Sequence, residues 1–246
     1  MLFDERPKLR KGDLFDRETE VFYVIEGAGH PLTVITGIRR IGKTSVLNVA
    51  LGELKDAVTL IVDCRRLRPN YGRSELYALF SEALSTRFDR LVDVLSGVRG
   101  VSIMGNSVEL RWRGKDSVSL ADLIDRLNRR RVVVALDEAQ RLRGPLSGEV
   151  RDAIAHAYDY DRNVTFILTG SEVGLLYDFI GVEDEASALY GRFFREVRLE
   201  RFSPERSREF LRRGFEELGV NVDEDLIDEV AGLFDGIPGW LTFAGL

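Results

Sequence analysis

The chain has 246 residues, which is enough for one α/β core with a small appended subdomain. Its 44% hydrophobic and 31% charged residues are typical of a globular protein that folds in water, and no apolar run approaches the ~20 residues that a membrane helix needs. The net charge of −6 argues against a general attraction for nucleic acids, and the single cysteine, Cys64, excludes an internal disulfide and favours a reducing, cytoplasmic location.

The remaining compositional signals are weaker. Arginine greatly outnumbers lysine, and the chain has one glutamine and two methionines. This usage favours a heat-adapted source, although genome composition explains an arginine excess equally well. The two histidines, His30 and His156, and Cys64 show no spacing typical of a metal site.

Short β-branched runs alternate with amphipathic stretches, a pattern that predicts βαβ units around a mostly parallel sheet. The predicted strands are Leu32–Thr36, Val58–Asp63, Val132–Asp137, Val164–Thr169 and Phe194–Leu199. The predicted helices lie near residues 44–54, 73–96, 119–130, 148–159 and 171–180. Residues 99–113 interrupt this order: two runs of period two flank Gly105 and Asn106, which predicts a β-hairpin insertion that serves as a packing or partner surface.

After residue 202 the sequence predicts helices alone. Ser203 and Pro204 begin one helix, and Gly236 and Pro238 follow the end of another. The apolar run at 240–243 begins an element that we expect to continue beyond the last residue. We therefore predict a core domain over residues 1–201 and an incomplete helical lid over residues 202–246.

Residues 37–44 match the phosphate-loop pattern G-x-x-x-x-G-K-[ST]. Glycines let successive backbone N–H groups turn toward the β- and γ-phosphates, Lys43 reaches the same phosphates, and the hydroxyl of Thr44 ligates Mg²⁺. The helix that begins near Lys43 adds the positive end of its dipole. The residues predicted to surround ATP here are Gly37, Ile38, Arg39, Arg40, Ile41, Gly42, Lys43, Thr44 and Ser45.

The buried strand Val132–Asp137 ends in two acids, at the rim where ligands bind in open α/β sheets. Asp137 is predicted to hold the Mg²⁺ and Glu138 to polarise the attacking water, so that Glu138 and Lys43 are catalytic. The next strand ends near Thr169 and Ser171, two candidates for sensing the γ-phosphate; for Ser171, capping of the following helix is an equal alternative. Arg192 is a third catalytic candidate, acting in its own subunit or from a neighbour.

These motifs resemble the archaeal ATPase family within the STAND division of P-loop NTPases, relatives of AAA+ proteins. The resemblance rests on residues 15–20, 37–44 with paired arginines, 136–140, 169–171, 190–192 and 236–239. It implies a three-layer P-loop NTPase with a mostly parallel five-stranded sheet, in which an additional strand separates the phosphate-loop strand from the acidic strand. It also implies that Phe15 and Arg17 lie near the adenine, that Arg192 senses phosphate, and that Pro238 belongs to a lid element near the nucleotide.

The leading hypothesis is a Mg²⁺-dependent ATPase whose hydrolysis resets a conformational switch. The alternative is a nucleotide-gated scaffold or DNA-associated regulator with negligible hydrolysis; any DNA contact would come from a C-terminal domain beyond these residues. A small-molecule kinase fits less well, because the lid helices carry acids as freely as arginines; Arg65, Arg66 and Arg68 are explained better by a solvated loop than by an acceptor site. The expected ligands are ATP and ADP, and a protein partner or a homo-oligomer is open.

Overall fold

The computed structural model describes every residue from Met1 to Leu246. The strands are β1 Leu32–Thr36, β2 Val58–Asp63, β3 Val101–Met104, β4 Ser107–Leu110, β5 Val132–Asp137, β6 Val164–Gly170 and β7 Arg195–Arg198. The helices are α1 Glu18–Gly27, α2 Lys43–Glu53, α3 Arg73–Ser85, α4 Phe88–Leu95, α5 Leu120–Leu127, α6 Ser147–Tyr160, α7 Val173–Ile180, α8 Pro204–Leu218, α9 Glu224–Leu233 and α10 Pro238–Ala244. None of these helices has the length and apolar character needed to cross a membrane.

Five of the strands form one sheet in the order β2-β5-β6-β1-β7. β5 pairs in parallel with β2, so that Asp63 lies beside Asp137, and in parallel with β6, so that Leu136 lies beside Leu168. Every residue of β5 and β6 is buried, as expected for strands covered by helices on both faces. The order confirms the predicted α/β fold and its additional strand, β6, between β1 and β5.

The chain forms two compact units. One consists of Met1–Ile25, Ile35–Glu53 and Val197–Leu246, and the other of Glu26–Val34 and Leu54–Glu196. In the second unit a large apolar cluster receives buried side chains from β2, β5 and β6 and from the helices α3, α5 and α6. This cluster is the framework that positions the ends of β2, β5 and β6.

The first unit has an aromatic core that joins the N-terminal segment to α8, α9 and α10. The ring of Phe3 meets Phe210 and Phe215 edge-on, with centroids 5.8 and 5.1 Å apart. Phe15 meets Phe202 and Phe210 in the same manner at 5.5 and 5.4 Å. The N-terminal residues therefore pack with the predicted lid helices, a long-range contact that the sequence pattern did not indicate.

The prediction of one helix over residues 73–96 is wrong, because α3 ends at Ser85 and α4 begins at Phe88. Arg87 interrupts the helix with φ −124° and ψ 24°, and its side chain donates to the carbonyl of Thr59 at 3.1 Å. A contact with a distant strand thus bends the chain where the local sequence favours continuation. Helix α1 was not predicted, since Phe22 and Tyr23 are exposed and blur its periodicity.

The predicted hairpin is confirmed. β3 and β4 pair antiparallel, and Gly105 adopts φ +58° in the turn. The N–H groups of Val108 and Leu110 donate to the hydroxyls of Ser85 and Ser81 on α3, at 2.9 and 3.1 Å. One edge of the hairpin is therefore a packing surface within its own unit.

We expect Phe3→Ala to lower the free energy of unfolding by about 3–5 kcal/mol, because the ring is 1% exposed and leaves a cavity when removed. Gly214 and Gly245 have no side chains to refill it. Phe22→Ala, at a position 54% exposed, should cost about 0.5 kcal/mol or less. Urea unfolding of both variants measures the difference, and equal losses would contradict the packing described.

Candidate functional site

The loop between β1 and α2 has a backbone that demands glycine. Gly37 has φ +144° and Gly42 has φ +102°. A Cβ at residue 37 would lie 2.9 Å from the carbonyl oxygen of Leu199, closer than real side chains approach. The N–H of Leu199 in turn donates to the carbonyl of Thr36 at 2.9 Å, so the start of the loop is held against the segment that follows β7. Between the glycines Arg40 also adopts a left-handed conformation, with φ +66°.

Lys43 is the first residue of α2 and is only 5% exposed. Its Nζ donates to the carbonyls of Gly37 at 2.9 Å and Ile38 at 3.0 Å, so its charge is held inside the curve of the loop. A helix N-terminus favours an anion because its first N–H groups lack intrahelical acceptors. Loop, lysine and helix start together form an arrangement suited to a phosphate group.

The residues beside Lys43 are placed differently from one another. Thr44 is half-buried, whereas Arg39 is exposed and Ile38 is 38% exposed. The hydroxyl of Ser45 accepts the N–H of Lys8 at 3.0 Å, so it anchors the N-terminal segment. The contact of Ser45 with ATP stays a prediction.

Arg40 links the loop to helix α10. Its guanidinium lies 4.3 Å from the centre of the Trp240 ring, and its carbonyl accepts the N–H of Gly239 at 3.0 Å. A Cβ at residue 239 would lie 2.9 Å from the Cβ of Arg40. Pro238 starts α10 beside this contact, at a helix position that needs no N–H. Glycine is needed at 239 because the helix start approaches the loop closely, and proline suits 238 because the first turn of a helix needs no N–H there.

Gly236 has a second reason to be glycine. It adopts φ +68°, and a Cβ there would lie 2.1 Å from the carbonyl oxygen of Phe202. The N–H of Phe202 donates to the carbonyl of Gly236 at 2.8 Å. The motif at 236–239, identified in the sequence by resemblance, therefore joins the start of the lid helices to the phosphate-loop arginine within one unit.

Phe15 and Arg17 occupy the aromatic core of the same unit. Arg17 is 5% exposed and donates to the carboxylate of Glu20 at 2.8 Å and the carbonyl of Glu200 at 2.6 Å. Its guanidinium lies 4.6 Å from the centre of the Phe202 ring. These contacts give both residues a packing role, and their contact with adenine stays a prediction.

At the end of β5 in the other unit, one hydroxyl connects both acids. Thr169 donates to Oδ1 of Asp137 at 2.6 Å and accepts the N–H of Glu138 at 3.0 Å. Glu138 adopts a left-handed conformation with φ +56°, which a residue with a side chain adopts at a cost of order 1–3 kcal/mol. Strain of this kind is found where a side chain must be aimed, so the end of β5 has the character of a functional site.

The carboxylate of Glu138 is oriented by two donors. Ser171 donates to its Oε2 at 2.6 Å, and Nε2 of Gln140 donates to the same oxygen. Nε2 of Gln140 also lies 3.3 Å from the hydroxyl of Ser171. Of the two roles open for Ser171 in the sequence, capping of α7 is not found, because the N-cap position is Glu172. Gln140 was missed, although its position two residues after Glu138 brings it back to that carboxylate.

Asp137 is 1% exposed and has a cation beside it. Nη2 of Arg65 lies 3.5 Å from Oδ2 of Asp137, while Nε of Arg65 lies 2.7 Å from Oδ1 of Asp63. Burial raises the pKa of Asp137, and the hydrogen bond from Thr169 and the charge of Arg65 oppose that shift. The sequence interpretation left Arg65 in a solvated loop; the register that sets Asp63 beside Asp137 is the signal that relates it to the acidic site.

Arg192, in the segment between α7 and β7, is bound to helix α6. Its Nη2 lies 2.6 Å from Oδ2 of Asp159 on α6, and its guanidinium lies 5.8 Å from the centre of the Tyr158 ring. The bond to Asp159 raises the pKa of Arg192, and Arg192 lowers the pKa of Asp159. A role for Arg192 at a phosphate stays a prediction, and it requires release from Asp159.

Residues 14–243 match the model of a family described as an ATPase domain predominantly from Archaea. The structure is similar to that of the Walker-type ATPase of Pyrococcus abyssi, with 38% identity and a TM-score of 0.83, over 100% of this chain and 70% of that one. Cdc6p of Pyrobaculum aerophilum has a TM-score of 0.58 and 16% identity, over 99% of this chain and 62% of that one.

The RuvB Holliday junction branch migration motor of Thermotoga maritima has a TM-score of 0.55 and 16% identity, over 100% of this chain and 64% of that one. The chain thus spans less than two thirds of Cdc6p and of RuvB, and at 16% identity both show the fold alone. No curated protein sequence matches the chain significantly.

We expect Thr169→Val to lower the free energy of unfolding by about 1–3 kcal/mol, because the buried carboxylate of Asp137 and the N–H of Glu138 each lose a partner. Thr169→Ser keeps the hydroxyl and should recover most of the loss. Urea unfolding without nucleotide measures both variants. A valine variant as stable as the serine variant would contradict the role assigned to the hydroxyl.

We expect Gly236→Ala to cost about 2 kcal/mol or more, since the left-handed conformation and the close carbonyl of Phe202 both oppose a Cβ. Gly232→Ala is the matched control: this residue lies in α9 with open space around it, and alanine there should stabilise by up to about 1 kcal/mol. Thermal unfolding distinguishes them, and similar melting temperatures would show that residue 236 has no special requirement.

Proposed function

The chain belongs to the family of ATPase domains found predominantly in Archaea, and from this premise we propose that its hydrolysis of ATP is Mg²⁺-dependent and drives a conformational switch. In this proposal residues 37–44 bind the phosphates, and Glu138 polarises the attacking water. The observation that carries it is the strained, doubly hydrogen-bonded Glu138 next to the buried Asp137.

The residues proposed for the metal fit Mg²⁺ chemically. Thr44 supplies a hydroxyl and Asp137 a carboxylate, and Mg²⁺ prefers such oxygen ligands. A buried carboxylate is costly to keep ionised, so a nearby cation stabilises it. When bound, Mg²⁺ neutralises part of the charge on the phosphates.

The chain's own residues then have distinct proposed roles. Lys43 binds the phosphates as a point charge, and Thr169 holds Asp137 and the backbone of Glu138 in place. Ser171 and Gln140 orient the carboxylate of Glu138. Arg192 stabilises charge on the transferred phosphoryl group, from its own subunit or a neighbour.

The proposal of a switch is supported by the contacts that the positively charged side chains of Lys43 and Arg192 make in the structure. Lys43 is bound by the loop's own carbonyls, and Arg192 by Asp159. Phosphate would compete for both, so binding would exchange one set of contacts for another. The contacts of Arg40 with Trp240 and Gly239 offer a route by which a change in the loop would reach α10.

A nucleotide-gated regulator with negligible hydrolysis is the second candidate. It is favoured by the ion pair between Arg192 and Asp159, because this contact engages the arginine proposed to stabilise charge on the phosphoryl group. A cytoplasmic location is also part of the proposal. The single cysteine fits it, since a chain with one cysteine forms no internal disulfide.

The test compares three variants. Lys43→Ala should abolish ATP binding at micromolar concentrations, measured by calorimetry with Mg²⁺. Glu138→Gln should bind ATP normally and lose phosphate release by roughly 10²-fold or more, because only water activation is removed. Glu183→Gln, an exposed residue between α7 and β7, should match the parent protein in both measurements.

The outcomes separate the candidates. Turnover that is unchanged in Glu138→Gln would refute its role, whereas ATP-dependent stabilisation of the parent protein without phosphate release would favour the nucleotide-gated regulator. ATP binding that survives Lys43→Ala would refute the assignment of the loop.

A further inference from the structure

Three metal-ligating side chains lie together near the start of β6. They are Asp125 on α5, His156 on α6 and Asp161 directly after α6, and one ligand atom from each lies within 4.8 Å of the others. β6 begins at Val164 and ends at Gly170, so Thr169 lies near its far end. At about 3.3 Å per residue this strand separates the group from Thr169 by roughly 15–20 Å. The group is therefore not part of the site proposed for ATP.

Asp161 has a buried carboxylate without a hydrogen-bond partner. The residue is 3% exposed, and both of its carboxylate oxygens are buried without a hydrogen-bond partner. Its backbone is held firmly, since its N–H donates to the carbonyl of Ala157 at 2.9 Å and its carbonyl accepts the N–H of Val164 at 3.0 Å. The side chain therefore stays buried as long as α6 and β6 keep their places.

A buried carboxylate without a partner destabilises a fold unless a positive charge compensates it. Burial raises the pKa of Asp161, Asp125 raises it further, and His156 opposes both. The other buried carboxylate of this unit, Asp137, has a donor in Thr169. Asp161 differs from Asp137 because no hydrogen-bond donor contacts its carboxylate, and two other potential metal ligands, Asp125 and His156, lie beside it.

We propose that Asp125, His156 and Asp161 bind a divalent transition-metal ion of the Zn²⁺ type. One imidazole nitrogen and two carboxylate oxygens form a mixed set that suits Zn²⁺ and its neighbours better than Mg²⁺ or Ca²⁺, which prefer oxygen alone. Three protein ligands leave the fourth tetrahedral position for water.

The distances between the three ligand atoms allow a Zn²⁺ ion to bind after small movements of the side chains. Bonds of about 2.0–2.2 Å place tetrahedral donors about 3.4 Å apart, so the three atoms need to close by about 1.4 Å at most. Asp125 is exposed and His156 is half-buried, so both side chains can turn toward the fixed Asp161. The ring of His156 contacts Tyr160, with centroids 5.1 Å apart, and Tyr160 is itself 69% exposed, so this contact does not fix the imidazole. The ion would join α5 to the junction of α6 and β6.

The experiment titrates the full chain with Zn²⁺ after removal of bound metals by a chelator and in the absence of nucleotide. Calorimetry should show one Zn²⁺ per chain, and the melting temperature should rise with Zn²⁺. His156→Ala and Asp125→Ala should each weaken binding by at least about tenfold, which is the effect that loss of even an outer partner of a metal site produces. His30→Ala, at an exposed histidine, and Asp137→Asn, at the acidic end of β5, should bind Zn²⁺ as the parent protein does.

A second measurement does not depend on the histidine. Asp161→Asn removes the buried charge, so with chelator it should melt at or above the temperature of the parent protein, and Zn²⁺ should no longer raise that temperature. The proposal fails if Zn²⁺ affinity is unchanged in His156→Ala, if it is lost in Asp137→Asn, or if binding appears only at millimolar Zn²⁺. It also fails if Asp161→Asn melts well below the parent protein with chelator, because the carboxylate would then have a structural partner.

Discussion

The acidic site depends on two hydrogen bonds made by the hydroxyl of Thr169. The hydroxyl donates to the carboxylate of Asp137 and accepts the N–H of Glu138, so a single group on β6 fixes the side chain of the first acid and the backbone of the second. A hydroxyl can do this because it is both donor and acceptor. Without it, Asp137 would be a buried carboxylate with one donor fewer, and the left-handed backbone of Glu138 would lose the bond that opposes its strain.

The arrangement follows from the sheet. β5 and β6 are parallel and in register, so the residues that follow them meet at one edge, and β2 brings Asp63 to the same edge. β5 is buried along its whole length, so a shift of register would leave backbone groups at its ends buried without hydrogen-bond partners. The acidic site is thus a product of long-range pairing and not of the local sequence after β5 alone.

The sequence predicted what depends on local pattern. The glycines, Lys43 and Thr44 form a spaced motif, and the strands are short apolar runs, so both could be found without a structure. Contacts between distant residues could not. The break at Arg87 depends on Thr59, the role of Arg65 depends on the β2–β5 register, and the partnerless burial of Asp161 depends on how α6 joins β6. The sequence pattern identified Gly236 as a helix stop and the resemblance as part of a lid element, whereas the carbonyl of Phe202 that excludes a Cβ there required coordinates.

The central proposal is that Lys43, Asp137 and Glu138 act on one bound ATP. A crystal structure with Mg²⁺ and a non-hydrolysable ATP analogue tests it most directly. The account predicts Lys43 within hydrogen-bonding distance of the phosphates, Thr44 and Asp137 in the first or second coordination sphere of Mg²⁺, and Glu138 beside a water in line with the γ-phosphate. A nucleotide bound away from residues 37–44, or a Glu138 carboxylate turned away from the γ-phosphate, would contradict the account.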